Sequence, residues 1–174
     1  MTTTDNLKQQ WRNKLKKLTP ATLTNEHIQK ISALPEISQA KHIGCYIAIQ
    51  PEIDLTLFYN ALIALGKKLY IPTLDNSKKM CFIEYDPSQP VNISQGFQTE
   101  HHTTLFEADK LDCIIVPCLG IDQDNKRLGR GGGYYDRVLD EASMTISIIM
   151  QQQRIQESIG ESHDAIIKNI VEIN

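Results

Sequence analysis

The chain has 174 residues, 41% of them hydrophobic and 22% charged, and its formal net charge is −3. That length fits one domain, spanning 1–174, with enough apolar content to bury a core, and the balance excludes a disordered chain. A mildly acidic protein has no overall pull toward nucleic acid or an anionic membrane, so an anionic ligand requires a local basic cluster.

Cys45, Cys81, Cys113 and Cys118 form no C-x-x-C pair and lie in or beside apolar runs. They read as buried reduced thiols rather than a disulfide or zinc framework. The opening MTTTDNLKQQWRNK lacks the apolar core of a signal peptide. No apolar run approaches the roughly 20 residues of a bilayer span. A cytoplasmic protein is the expectation, with no membrane or nucleic-acid partner.

In chain order, Leu7, Trp11, Leu15 and Leu18 recur at helical spacing and define the apolar face of a first helix. Thr19-Pro20 ends it and opens a second helix, which runs to Leu34 before Pro35 interrupts. From His42 the period changes: HIGCYIAI reads as a buried strand ending near Gln50-Pro51. Asp54 is placed to cap a helix carrying Leu55, Phe58, Leu62 and Leu65, stopped at Gly66. KLYIP and MCFIEY are the next strands, and 86–104 is a long polar loop. LDCIIVP (111–117) is a further buried strand, followed by a glycine-rich segment and a short helix over 134–142. TISIIM and AIIKNIVEI close the chain as strands. Strands alternating with helices predict a single-domain α/β fold, a mostly parallel sheet flanked by helices in a Rossmann-like three-layer arrangement.

The stretch richest in chemistry is 120–137, GIDQDNKRLGRGGGYYDR. Gly129, Gly131, Gly132 and Gly133 fall between a strand and a predicted helix, the ligand edge of a parallel sheet. Glycines there let backbone N–H groups approach an anion, and Lys126, Arg127 and Arg130 add full positive charges. Asp122 and Asp136 are candidates to hold the magnesium of a nucleotide. The Walker pattern fails for want of Gly-Lys-Ser/Thr, and the dinucleotide fingerprint fails because its third glycine would fall on Tyr134. Asp122-x-Asp124 begins like an EF-hand but lacks that loop's glycine and terminal glutamate. From the residues alone, a phosphate-binding loop and a surface loop with solvated charges both remain.

RLGRGGGYYDR, after a strand ending in VP and the segment GIDQDNK, resembles the signature of the 5-formyltetrahydrofolate cyclo-ligases, or methenyltetrahydrofolate synthetases. The resemblance implies an enzyme that uses ATP and Mg2+ to convert 5-formyltetrahydrofolate into its 5,10-methenyl form, working as a monomer or weak homodimer. It implies an ATP site made by Lys8, Arg12, Arg127, Leu128, Gly129, Arg130, Gly131, Gly132, Gly133, Tyr134 and Tyr135. Asp136, helped by Asp122, would hold the metal. Arg130 would stabilise charge in phosphoryl transfer, and Tyr135 would approach the formyl group or the moving phosphate. YIAIQPEID resembles the folate-pocket segment, with Ile47 packing on the pterin ring, Glu52 bonding to it and Phe97 stacking on the folate.

Each of these has a plainer reading. Lys8 and Arg12 sit four apart on one helical stripe, as solvated charges of an amphipathic helix do. Glu52 suits a helix start, Ile47 a core strand, and Tyr135 the packing beneath a loop. Gln153 and Asp164 fall where the family has similar residues, without a role assigned. The chain departs from the family where His101 follows Glu100 in place of a proline, and where Ile159 occupies another proline's place. His101-His102 reads as solvated loop. Competing functions are an ATP-dependent enzyme for another small acid or amide, and a folate- or nucleotide-holding regulator on the same scaffold.

Overall fold

A computed structural model describes residues 3–99 and 104–174, so Glu100, His101 and His102 lie outside the described residues. In chain order it contains α1 (Thr3–Leu15), α2 (Asn25–Ser32), α3 (Pro35–Ser38), β1 (His42–Gly44), α4 (Thr56–Ala64), β2 (Lys68–Leu74) and β3 (Met80–Glu84). Then come β4 (Ile93–Ser94), β5 (Phe97–Gln98), β6 (Cys113–Ile115), β7 (Gly120–Ile121), β8 (Arg127–Leu128), β9 (Thr145–Met150) and β10 (Asn169–Ile173).

The main sheet runs β10-β9-β6-β1-β2-β5-β4, with β3 also paired to β2. The pairs β10·β9, β9·β6, β6·β1, β1·β2 and β2·β5 are parallel, whereas β2·β3 and β4·β5 are antiparallel. This is the mostly parallel α/β sheet expected, with antiparallel additions at one side. Alternation along the strands divides the core. Ile43, Leu69, Ile71, Cys113, Ile115, Ile146 and Ile148 pack with Ile31, Ile37, Phe58 and Leu62 of α2, α3 and α4. Tyr70, Ile114, Val116 and Ile149 face the other way, onto Val138, Leu139 and Ala142. A third cluster seats Leu15 of α1 against Leu119, Leu128, Ile155 and Ile159.

Three elements differ from expectation for local reasons. The second helix starts at Asn25 rather than Pro20, because Thr24 and His27 form a reciprocal capping box there. Pro35 then opens a separate turn, α3. The strand from His42 ends at Gly44. Beyond it the Tyr46 N–H donates to the Tyr59 hydroxyl, that hydroxyl donates back to the Tyr46 carbonyl, and the Tyr46 hydroxyl donates to Ile53 O. Backbone groups satisfied by side chains need no sheet partner, so 45–49 peels away at the sheet's carboxyl edge. The predicted helix over 134–142 is a run of turns with a 3-10 turn at Leu139–Glu141. Tyr135 O accepts from both Val138 and Leu139, while the Tyr135 ring is buried beneath Arg127, which fixes the segment by tertiary contact. One face of the sheet is therefore covered by irregular chain instead of an α-helix.

The four cysteines are free and buried. Burial pushes the Cys113 and Cys118 thiols up to about 12, which leaves them inert as nucleophiles. Among the described residues no helix is long and apolar enough to cross a membrane.

Candidate active site

The site forms where β6 and β9 end. β7 and β8 make a small antiparallel hairpin, and its turn is built around Asp122, whose side chain is fully buried. One Asp122 oxygen accepts the Asp124 and Lys126 N–H groups, both at 2.9 Å. The other accepts Gly160 N–H at 2.8 Å and Ile159 N–H at 3.1 Å. Four N–H donors engage this carboxylate, which stitches the hairpin turn to the segment at 159–160. Lys126 reinforces the stitch by donating to Glu161 O at 2.7 Å.

β8 delivers Arg127 and Leu128. Leu128 is buried against α1. Arg127 is also buried; its guanidinium pairs with Asp136 at 3.0 Å, donates to Pro117 O at 3.3 Å and lies 5.2 Å from the Tyr135 ring centroid. Segment 129–133 then loops out, with Gly131 and Gly133 at φ 105° and 64°, values that side-chain-bearing residues rarely adopt. From α1, the Arg12 Nε reaches over to donate to Gly129 O at 3.0 Å.

Two cavities flank this loop. The larger, about 590 Å³, is lined by Lys8, Arg12, Arg127, Leu128, Gly129, Gly131, Gly132, Gly133 and Asp136, joined by Arg137, Glu161 and Asp164. The smaller, about 380 Å³, brings Ile47, Glu52 and Phe97 together with Arg130, Tyr134 and Tyr135. Arg127 and Gly129, Gly131, Gly132 and Gly133 border both, so the glycine loop is their common wall. A further open cleft of about 750 Å³, lined by Thr73, Asn76 and Ser77 among others, meets the smaller cavity at Gln95, Phe97 and Tyr134. Phe97 and Tyr134 stack edge to face there, 4.9 Å between centroids.

Two cations of the site are engaged by carboxylates. Lys8 is buried, with its ammonium 2.7 Å from both Glu161 and Asp164. Burial pulls the Lys8 pKa down, but the hydrogen bonds to these carboxylates outweigh it and hold the group above its ordinary 10.5. Burial likewise pushes Asp164 up, yet the Lys8 and Glu161 N–H bonds hold it below the usual carboxylate value. Lys8 thus lines the larger cavity with its charge already matched. Arg130 turns away from that cavity: its Nε pairs with Glu52 at 3.0 Å, and one terminal nitrogen donates to Ile49 O at 2.6 Å and Gln50 O at 2.8 Å.

Three buried polar atoms around Arg127 lack a hydrogen-bond partner among the described residues: Arg127 Nε, the Tyr135 hydroxyl and Asp136 Oδ1. Burial holds the Tyr135 hydroxyl well above the ordinary tyrosine range, against the opposing pull of Arg127, so it is protonated and able to donate. Gln153 has a structural task. Its side chain accepts from Met150 N–H and donates to the Cys118 and Leu119 carbonyls, pinning the end of β9 to the floor of the smaller cavity. Sequence reasoning flagged Asp164 without a role and missed Glu161; their partner Lys8 is more than 150 residues away, and no local pattern encodes that pairing.

A glycine loop at the carboxyl edge of a parallel sheet, walled by cations and shared by two cavities, defines an α/β protein with adjoining small-molecule sites. The model of the 5-formyltetrahydrofolate cyclo-ligase family matches residues 4–172, and the chain belongs to that family. The 5-formyltetrahydrofolate cyclo-ligase of Haemophilus influenzae is 27% identical over 147 residues, covering 79% of each chain. That of Mus musculus is 24% identical over 159 residues, covering 82% of this chain and 78% of its own. Among solved structures, the Aquifex aeolicus 5,10-methenyltetrahydrofolate synthetase aligns with TM-score 0.76 at 21% identity, covering 98% of this chain and 90% of that one. The Mycoplasma pneumoniae enzyme of the same name aligns with TM-score 0.69 at 24% identity, covering 98% of both chains. At those identities the structural likeness concerns the fold.

Proposed function

We propose that this protein converts 5-formyltetrahydrofolate and ATP into 5,10-methenyltetrahydrofolate, ADP and phosphate. The observation that carries the proposal is the common wall. A transfer between two bound molecules needs their reacting atoms side by side, and Arg127 with the glycine loop separates the two cavities by one layer of chain.

The ATP phosphates belong in the larger cavity, against Arg12, Arg127 and the backbone N–H groups of 129–133. The reduced pterin belongs in the smaller one, with Ile47 and Phe97 on its faces and Glu52 accepting from its N–H edge. The N5-formyl group is an amide, whose oxygen is a poor leaving group. Transfer of the γ-phosphoryl group to that oxygen turns it into a good one. N10 adds to the formyl carbon and gives up its proton, the carbon–oxygen bond breaks, and phosphate departs. Phosphoryl transfer asks the protein for alignment and charge stabilisation more than for covalent chemistry.

Arg127 is suited to that task because it is rigidly held, water-poor and common to both cavities. The Tyr135 hydroxyl, protonated and without a partner, can donate to the formyl oxygen. Asp136 Oδ1, buried and unpaired, fits a magnesium ligand. Among the described residues no set of three or more His, Cys, Asp or Glu side chains forms a metal cage. That suits an ion held by one carboxylate together with phosphates and water. When bound, magnesium would neutralise phosphate charge during transfer. The test is the absorbance band of methenyltetrahydrofolate, which grows only when 5-formyltetrahydrofolate, ATP and magnesium are all present. No growth under those conditions rejects the proposal.

A further inference from the structure

Arg130 lies inside the glycine loop, and its backbone neighbours Gly129 and Gly131 line the larger cavity. Its side chain does not. All three of its hydrogen bonds go to the turn at 49–52, on the far side of the smaller cavity: Nε to Glu52 Oε1, and a terminal nitrogen to the carbonyls of Ile49 and Gln50. Glu52 is 8% exposed, and Arg130 is its ion-pair partner among the described residues. Its other oxygen accepts Ile49 N–H at 2.9 Å.

We infer that Arg130 is a positioning residue for the substrate-reading carboxylate Glu52, rather than a ligand of the transferred phosphoryl group; this rests on the reaction proposed above. A carboxylate has two acceptor sites on each oxygen. Here one on each is filled, by Arg130 on Oε1 and by Ile49 N–H on Oε2. The remaining pair forms a two-toothed acceptor fixed in direction, which matches a planar ring edge presenting two adjacent N–H donors, as the ring amide and exocyclic amine of a reduced pterin do. Burying a carboxylate is costly unless it is paired and hydrogen-bonded. Arg130 supplies the pair while also tying down the two carbonyls of the turn that carries Glu52. A fork of donors achieves this where a lysine's single ammonium would hold fewer bonds in place. The glycine loop therefore serves both substrates: its backbone faces the nucleotide cavity and its one long side chain orders the pterin cavity.

Steady-state kinetics in both substrates test this on Arg130→Ala, Arg130→Lys, Glu52→Gln and the double variant Arg130→Ala/Glu52→Gln, beside the parent protein. The expected result is a KM for 5-formyltetrahydrofolate raised at least tenfold in Arg130→Ala and in Glu52→Gln, with KM for ATP and kcat each changed less than fivefold. Arg130→Lys falls between. The double variant is scarcely worse than the poorer single one, because both changes disable one device. A loss in kcat of a hundredfold at unchanged folate KM, or effects that multiply in the double variant, overturns the inference and restores Arg130 as a catalytic residue. If Arg130→Ala does not fold, Arg130→Lys decides by the same split. A parent protein without turnover overturns the proposed reaction itself, a result distinct from either outcome in the variants.

Discussion

Replacing Asp122 by Asn probes the difference between a metal ligand and a structural carboxylate. The substitution preserves size in a side chain with no exposed surface, but exchanges one acceptor oxygen for an N–H2 donor. With the amide oxygen turned to Asp124 and Lys126, the N–H groups of Ile159 and Gly160 face a donor; the opposite flip abandons the other two. Either way two hydrogen bonds to a charged acceptor are lost, each worth about 1.5–3 kcal/mol, so the cost is about 4 kcal/mol. For a chain of this size each kcal/mol lowers the melting temperature by about 2–4 °C, giving a fall of about 12 °C. Segment 159–161 also carries Glu161, which with Asp164 holds Lys8 at the larger cavity, so on the proposed reaction KM for ATP should rise as well. Circular-dichroism melting and a magnesium titration of turnover read the two effects. A melting temperature within about 2 °C of the parent, coupled to a higher magnesium requirement, would refute the structural assignment and make Asp122 a ligand after all.

Asp136→Asn should raise the magnesium concentration for half-maximal turnover by at least about tenfold; an unchanged titration removes Asp136 from the metal site. Lys8→Met leaves Glu161 and Asp164 uncompensated, at a cost of about 2 kcal/mol once the partial exposure of Glu161 is allowed for. The pH profile of that cost follows from the shifts. Asp164 is depressed when folded, so its share of the stability is present above the ordinary carboxylate pKa and lost as pH falls through its lower, folded value. Lys8 is raised, so its share is complete below 10.5 and lost only as pH climbs through its folded value above that. The gap in melting temperature between parent and Lys8→Met should close in strong acid. A gap that persists undiminished there contradicts the ion-pair account.

Much of this architecture is legible in the sequence because its signals are local. The Leu7, Trp11, Leu15 stripe gives α1, apolar β-branched runs give β2, β6 and β9, and the glycines of 129–133 mark the ligand edge. What stays hidden depends on partners distant in sequence. HIGCYIAI has the composition of a long strand, but Tyr46 and Tyr59 divert its backbone groups after Gly44. YYDRVLDEA has a helical period, but Arg127 captures Tyr135 and Asp136 first. Asp122 and Asp136 look alike in the sequence, both acidic residues beside the same loop. Only folding shows that four N–H groups occupy the first, whereas one oxygen of the second is left open. Arg130 is a similar case: its place in the motif points to phosphate, and its side chain goes to Glu52.

The central claim, that the formyl oxygen receives the phosphoryl group across the shared glycine wall, is tested most directly by following that oxygen. 5-Formyltetrahydrofolate labelled with heavy oxygen in the formyl group is turned over with unlabelled ATP in ordinary water, and the released phosphate is analysed by mass spectrometry. The account predicts one labelled oxygen in each phosphate formed, in step with methenyltetrahydrofolate. Unlabelled phosphate, with the heavy oxygen recovered in water, would contradict it.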